Sequence, residues 1–321
     1  MKKQKLKFIG LIFTIAIAAA FILCPALARA DEGITSSTEL TLQISTRPEA
    51  KLSLTQSFIF PFLQGSGPLT LGNNIRTNLS AEVTPVSLAG IGQAIWTPIA
   101  FLEIDAGGRL GTGWNMALGN GIGLNKPEGS GPLRTFSIDG SPFDGFQWSA
   151  WAGLAFQFDL AALFPGDWDH VIFRVHNEFR YSAYSRARPG ESWVLENNAE
   201  YQNGWALHGT AVLGYQMPLS PVLNFIGLMG EADYNLYDVP GKGKWGGNLP
   251  NWIFSVLFNF SITPQFNSSL IVQMRTRNNY GDSDYENKNN YYYKDRVLEN
   301  GGGNQRLVFY RLALMFTYKL R

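Results

Sequence analysis

Hydrophobic and polar side chains alternate along most of this chain after residue 36. Val171 to Ala183 shows the pattern clearly. Its odd positions are Val171, Phe173, Val175, Asn177, Phe179, Tyr181 and Ala183, and its even positions are Ile172, Arg174, His176, Glu178, Arg180 and Ser182. Successive side chains of a strand point to opposite faces, so one face here is apolar and the other charged. The stretch is longer than most soluble strands and fits a tilted strand crossing a hydrocarbon layer. Apolar groups on lipid and polar groups inside define a transmembrane β-barrel.

The same parity predicts about twelve strands. The first covers Glu39 to Ser45, the second Ala50 to Phe62, the third Leu69 to Val83, and the fourth Val86 to Trp96, ended by Thr97-Pro98. The fifth sets Leu102, Ile104, Ala106 and Leu110 against Glu103, Asp105 and Arg109. A Gly/Pro-rich loop, 113–142, leads to a sixth strand from Phe146 to Leu160 and then to Val171–Ala183. The rest run from Trp205 to Tyr215, Ile226 to Tyr234, Trp252 to Ile262, Leu270 to Arg277, and Val308 to Leu320. In the last, Val308, Tyr310, Leu312 and Leu314 are expected on lipid and Arg311 inside. The fold class is therefore all-β, a closed antiparallel transmembrane barrel. The count becomes ten or fourteen if the two Thr-Pro turns within 37–98 fall on one side.

An even count puts both termini at one end, expected to be periplasmic. The turns at Thr97-Pro98, Phe164–Trp168, Pro218–Pro221 and Thr263-Pro264 then fall on that side, and the long stretches 113–142 and 278–304 outside. Outward rings form two expected girdles. Trp148, Phe179, Tyr181, Trp205, Tyr234 and Trp252 lie at the outer end; Phe156, Phe158, Tyr215, Phe260, Phe316 and Tyr318 lie at the other. Amphipathic rings favour headgroup depth.

Residues 1–30 read as a secretory signal peptide, with Lys2, Lys3, Lys5 and Lys7 before an apolar run from Phe8 to Leu23 and Ala28-Arg29-Ala30 as the cleavage site. An uncleaved anchor and a lipid attached at Cys24 are the alternatives. Residues 31–321 form the barrel domain. Removing four Lys and one Arg turns 26 basic against 25 acidic residues into 21 against 25, and takes away the only cysteine. The mature chain is mildly acidic and thiol-free, so nucleic-acid binding and disulfides have no support.

Pro68-Leu69-Thr70 with Gly72-Asn73-Asn74, then Thr84-Pro85-Val86-Ser87, then Trp96-Thr97-Pro98-Ile99-Ala100-Phe101-Leu102 running on to Gly111-Thr112-Gly113-Trp114-Asn115, give the N-terminal third a resemblance. It resembles uncharacterised outer-membrane β-barrel proteins of spirochaetes, of the treponeme type. The resemblance implies an outer-membrane barrel and no defined substrate or catalytic residue. The end, Leu320-Arg321, departs from the aromatic C-terminus common in outer-membrane barrels.

Function is expected on the inner face. The candidate pore-lining residues are Arg76, Glu82, Glu103, Asp105, Arg109, Arg174, His176, Glu178, Arg180, Glu231, Asp233, Arg275, Arg277 and Arg311, with Asp159 and Lys319 beside them. An Arg facing acyl chains near the midplane costs roughly 2–4 kcal/mol, so these groups need water or one another. They either line a narrow wet pore or fill the lumen as salt-bridge ladders that leave a structural or adhesive barrel. Loop 113–142 either folds inward and constricts the pore or lies exposed. A lumen-wall hydrolase is the third reading; His176 would pair with Glu178 or Ser149, but no barrel-lipase or barrel-protease signature is present.

His170 beside Asp169 is expected at the rim, and His208 with Thr210 on the inner face. Carboxylate pairs such as Glu103/Asp105 and Glu231/Asp233, and the stretch Gly281–Glu286, match calcium sites only loosely. The tyrosines of 278–304 could bind surface ligands or sugars. The expected protein is a non-enzymatic, porin-like channel of the outer membrane without metal or organic cofactor. Its partners are outer-membrane lipid, the barrel-assembly machinery and small polar solutes.

Overall fold

The computed structural model describes residues 33–320, apart from 48, 117–118, 129–134, 165, 167–169, 197, 218–221, 238–248 and 279–304. The signal-peptide region, the stretch Gly281–Glu286 and the tyrosines of 279–304 lie outside the described residues. The strands are β1 (Thr35–Ser45), β2 (Ala50–Pro61), β3 (Asn74–Val83), β4 (Ser87–Ile99), β5 (Leu102–Gly113), β6 (Ile122–Glu128), β7 (Thr135–Asp139) and β8 (Gln147–Asp159). They continue with β9 (Val171–Tyr184), β10 (Trp193–Leu195), β11 (Asn198–Tyr201), β12 (Gly204–Gln216), β13 (Leu223–Asn235), β14 (Asn251–Ser261), β15 (Phe266–Asn278) and β16 (Gln305–Lys319).

Twelve of these close into one antiparallel barrel, in the order β1-β2-β3-β4-β5-β8-β9-β12-β13-β14-β15-β16 and back to β1. Closure runs through seven register pairs from Glu39↔Lys319 to Ser45↔Ala313, so neither end strand is left as an edge. The alternation explains why the sheet curls. Leu79, Leu110, Leu154, Leu213 and Leu228 are all more than half exposed on the outside. Such a continuous apolar belt is unfavourable in water and suited to hydrocarbon. Among the described residues no helix is long and apolar enough to cross a membrane; the long elements are strands.

The count of twelve resolves the two Thr-Pro signals. Thr84-Pro85 is a turn, while Thr97-Pro98 lies inside β4, at a register shift between Trp96 and Ile99, where a residue without an N–H does no harm to the ladder. The turn itself is Ala100-Phe101. The third strand starts at Asn74 and not at Leu69: residues 67–71 form a tight turn, with Thr70 and Leu71 N–H groups both donating to the Gly67 carbonyl.

A second correction concerns the last strand. A β-bulge between Gln273 and Met274 leaves Tyr310 without a partner in the register. Beyond it the parity reverses, so Leu307 and Phe309 face outward at 53% and 58% exposure, in place of Val308 and Tyr310. The sequence alternation could not show this, because Leu307, Val308, Phe309 and Tyr310 are apolar or aromatic on both phases.

The third correction is at the end away from the termini. Stretch 113–142 contains β6 and β7, and 185–203 contains β10 and β11; the four form a sheet of order β11-β10-β6-β7. Ile122, Leu124, Tyr184 and Trp193 make its core, all at most 6% exposed. Tyr184 is an inward position of β9, so the small sheet leans on the inner side of the wall at that end.

Aromatic contacts follow the expected girdles. Trp148 meets Tyr181 at 5.2 Å, Tyr181 meets Trp205 at 5.1 Å, and Phe179 stacks on Trp205 at 4.4 Å. At the end with the termini, Phe156 meets Phe101 and Phe173, and Phe266 stacks on Phe316.

Candidate functional site in the barrel interior

The charged face of the wall is the concave one. Glu103 on β5 reaches both Arg174 on β9 (2.8 Å) and Arg76 on β3 (3.7 Å), each two strands away. Side chains that far apart meet where a sheet curls toward them. Asp105, one turn of the pleat further, takes His176 Nε2 at 2.7 Å and the Gln93 carboxamide N–H at 3.1 Å. Glu178 pairs with Arg180, and Glu82 with Lys51 at 3.1 Å. The carboxylates of Glu103, Asp105 and Glu178 are buried at 7%, 4% and 6% exposure. Ionised groups so poor in water need such partners.

His176 thus belongs to Asp105, and not to Glu178 or Ser149 as the sequence suggested. Gly153 makes the pair feasible. It lies between Asp105 and Glu178 in the register, and a Cβ there would sit 2.5 Å from Asp105 Oδ2 and 2.6 Å from His176 Nε2. Facing atoms of Asp105, His176 and Glu178 lie within 4.8 Å of one another, a spacing that could hold a divalent cation. Gln93 and Arg180 already bind two of the three.

Further round the wall, His208 Nδ1 meets Asp233 Oδ1 at 2.7 Å, and its Nε2 lies 3.3 Å from Thr210 Oγ1. Carboxylate, imidazole and hydroxyl are in the order of a hydrolytic triad. Thr210, however, sits in unbroken ladders with His176 and Glu231, so its own backbone cannot supply a free N–H to an oxyanion. Glu231 is the neighbour of Thr210 and Ile253. His170 Nδ1 pairs with Asp159 at 2.9 Å near the end that holds the termini.

A separate cluster occupies the far end of the β1–β16 seam. Arg47, Arg275 and Arg311 lie over the Tyr310 ring at 5.0, 4.6 and 5.0 Å, and Arg311 also binds Glu49 at 2.6 Å. The bulge that turns Tyr310 inward builds this cluster. Arg277 stands opposite Arg306, nearer the far rim. Arg109 binds Glu196 at 3.2 Å, and Ser87 Oγ donates to the same oxygen at 2.6 Å. Glu196 belongs to the small sheet's connection and has φ +51°, a strained value for a side-chain-bearing residue. Its carboxylate therefore fastens that sheet to inward positions of β4 and β5.

The interior also holds a region that the charge pattern did not announce. Near the end with the termini, a cavity of about 460 Å³ lies among β12 to β16. Phe225, Met229, Leu257, Ile271 and Met315 supply its apolar surface. Gln216, Asn224, Asn259 and Ser269 supply polar atoms, and no ionisable side chain lines it. A bulge between Leu223 and Phe225 brings Asn224 round to Ser261 Oγ, at 2.6 Å. The Phe225 ring lies across Gly214 and Gly227, where a Cβ on either would collide with it. The signal was in the sequence: Val256-Leu257-Phe258 and Leu270-Ile271-Val272 are apolar on both phases, which means both faces are apolar.

No family model matches the sequence, and no curated protein matches it. Among solved structures, the chain is similar to the KdgM porin, with TM-score 0.38 and 10% identity over 89% of this chain and 99% of that one. It is also similar to the translocator domain of the autotransporter NalP from Neisseria meningitidis, with TM-score 0.36 and 9% identity over 95% of each chain. For OmpT, an outer membrane protein of Vibrio cholerae, the values are 0.35 and 6%, over 91% and 98%. At this level of similarity no residue of those proteins maps onto a residue here. The fold itself defines the class: a closed twelve-stranded antiparallel β-barrel with an apolar outside.

Proposed function

We propose that the protein is an outer-membrane β-barrel working as a narrow passive channel for small polar solutes, exported through a signal peptide and seated in lipid by the barrel-assembly machinery. The observation that carries this is the water access of inward charges near both ends of the barrel wall. Arg76, Arg174 and Arg180 keep 40%, 37% and 39% of their side chains exposed, and Asp233 keeps 51%, although all face the interior. A lumen filled by its own ladders would bury these heads as it buries their carboxylate partners. The lining is mixed in charge: cationic heads stand over buried carboxylates on the β3–β9 side, and Asp233 answers them from β13. In this reading the end with both termini is periplasmic, and the small sheet narrows the outer mouth, fastened by Glu196.

Planar-bilayer recording of the purified mature chain tests it. Discrete ohmic steps are expected. Electrical silence from a protein that migrates on gels as a folded, heat-modifiable barrel would replace the channel with a closed structural barrel.

A further inference from the structure

The β12–β16 cavity is the part of the interior that a channel for small polar solutes leaves without a task. We infer that it is a binding site for an uncharged amphiphile: an aliphatic body with one hydrogen-bond-donating end, such as a medium-chain alcohol. The inference deepens the channel reading and rests on it for the ligand's way in.

Three features point to that chemistry. Its size, about 460 Å³, lies in the range of small-molecule sites, which pair an apolar lining with a few placed polar groups. Phe225, Met229, Leu257, Ile271 and Met315 offer such a lining, and two of them are methionines, which adapt to irregular shapes. A water-filled wall would have no reason to be apolar here, since inward positions elsewhere carry ions. The polar groups exclude a charged ligand. Asn259 Nδ2 donates to Ser269 Oγ at 2.8 Å, and Asn224 Nδ2 donates to Ser261 Oγ at 2.6 Å. Both carboxamides therefore spend a donor on the wall. Gln216 and Asn259 line the space and carry carboxamide oxygens. Either can accept from a ligand hydroxyl or amide N–H. Neither an ammonium nor a carboxylate would find an opposite charge in this lining, and burying either unpaired is unfavourable.

The test uses the full mature chain in lipid nanodiscs, with 1-octanol, octanoate and octylammonium as probes of one chain length. Heats of titration are read against nanodiscs without protein. Octanol is expected to bind saturably at one site, with affinity about tenfold or more above both charged probes. Ile271→Trp, which fills the cavity, should abolish saturable binding. Asn259→Asp keeps the volume and adds a charge, so octylammonium should overtake octanol. Both variants are checked for heat-modifiable migration, so that a misfolded barrel is recognised. Octanol uptake no greater than in empty nanodiscs, or equal in wild type and both folded variants, overturns the site. The channel reading fails separately: a silent bilayer with saturable octanol binding removes the pore and keeps the pocket, and ohmic steps without octanol binding do the reverse.

Discussion

From β3 to β9 the inward positions carry Arg76, Glu103, Asp105, Arg174 and His176, tied together across two strands, and Glu178, paired with Arg180 on its own strand. From β12 to β16, near the termini, they carry Phe225, Met229, Leu257, Ile271 and Met315 around a cavity. The two regions share strand length, pairing and period. They differ in how the inner face is satisfied. The first wall removes carboxylates from water and must pair each one. The second has nothing to pair and is free to hold space. A period of two thus fixes which side chains face lipid, while leaving the chemistry of the inside open.

Substituting a glycine on each wall sharpens this contrast. Gly153→Leu drives its side chain into the contact between Asp105 Oδ2 and His176 Nε2 and parts a buried carboxylate from its partner. A destabilisation of about 3 kcal/mol is expected, read from urea unfolding of the barrel in lipid vesicles. Adding His176→Ala should recover part of the loss, because space reopens beside the carboxylate. Gly214→Leu meets the edge of the Phe225 ring, which can swing into the cavity at a cost of about 1 kcal/mol. Equal losses at the two sites would mean that the β12–β16 wall is as tightly filled as the other and that the cavity is not open space.

The small sheet provides a second break in the comparison, since Glu196 fastens it to the ion-paired side. Glu196→Gln removes the charge that holds Arg109 and Ser87 while keeping the shape. Charge-assisted hydrogen bonds to such a group are worth about 1.5–3 kcal/mol, enough to loosen the sheet from the wall. In the channel reading, single-channel conductance rises and becomes noisier. Unchanged conductance would show that the sheet does not narrow the path.

Much of this architecture was legible in the sequence. Twelve strands, their faces and the side of each long connection follow from strict alternation such as Arg174, His176, Glu178 and Arg180 against Phe173, Val175 and Phe179. Legibility failed where alternation failed. Leu307 to Tyr310 is apolar or aromatic throughout, so the bulge that turns Tyr310 inward left no mark. Ile122-Gly123-Leu124 and Trp193-Val194-Leu195 are too short to show a period, so the sheet at the mouth read as loop. Partner choice was not readable either. Asp105 and His176 are 71 positions apart and two strands apart, and only the curvature of a closed wall brings them to 2.7 Å.

Neutralising Arg275 and Arg277 together (Arg275→Gln, Arg277→Gln) probes the charge balance at the far end of the β12–β16 wall. In the channel reading, removing two positive charges near the far mouth raises cation preference, by on the order of twofold in permeability ratio at low salt. The reversal potential in a salt gradient reads it directly. High salt should erase the difference, because charges separated by more than about 8–10 Å from a passing ion are then screened. An unmoved reversal potential at low salt would exclude these residues from the conducting path.

The smallest effect is expected at Tyr310. Its ring carries Arg47, Arg275 and Arg311 within 5.0 Å, and cation–π contacts of partly exposed groups contribute about 0.5–1 kcal/mol each at most. They are not additive here, since three guanidinium groups crowd one ring and repel one another, and Arg311 is also held by Glu49. Tyr310→Leu should therefore cost about 1 kcal/mol in total, while Tyr310→Phe, which keeps the ring, should cost close to nothing. The pair of variants separates the ring's charge-binding role from the bulge's geometry. A leucine can occupy the bulge as well as a tyrosine, so a loss far above that of a few cation–π contacts in Tyr310→Leu would mean that the ring sets the register of β15 against β16. Hydrogen exchange along β16 would then show opening beyond Arg311 and none between Ala313 and Lys319, the segment paired with β1.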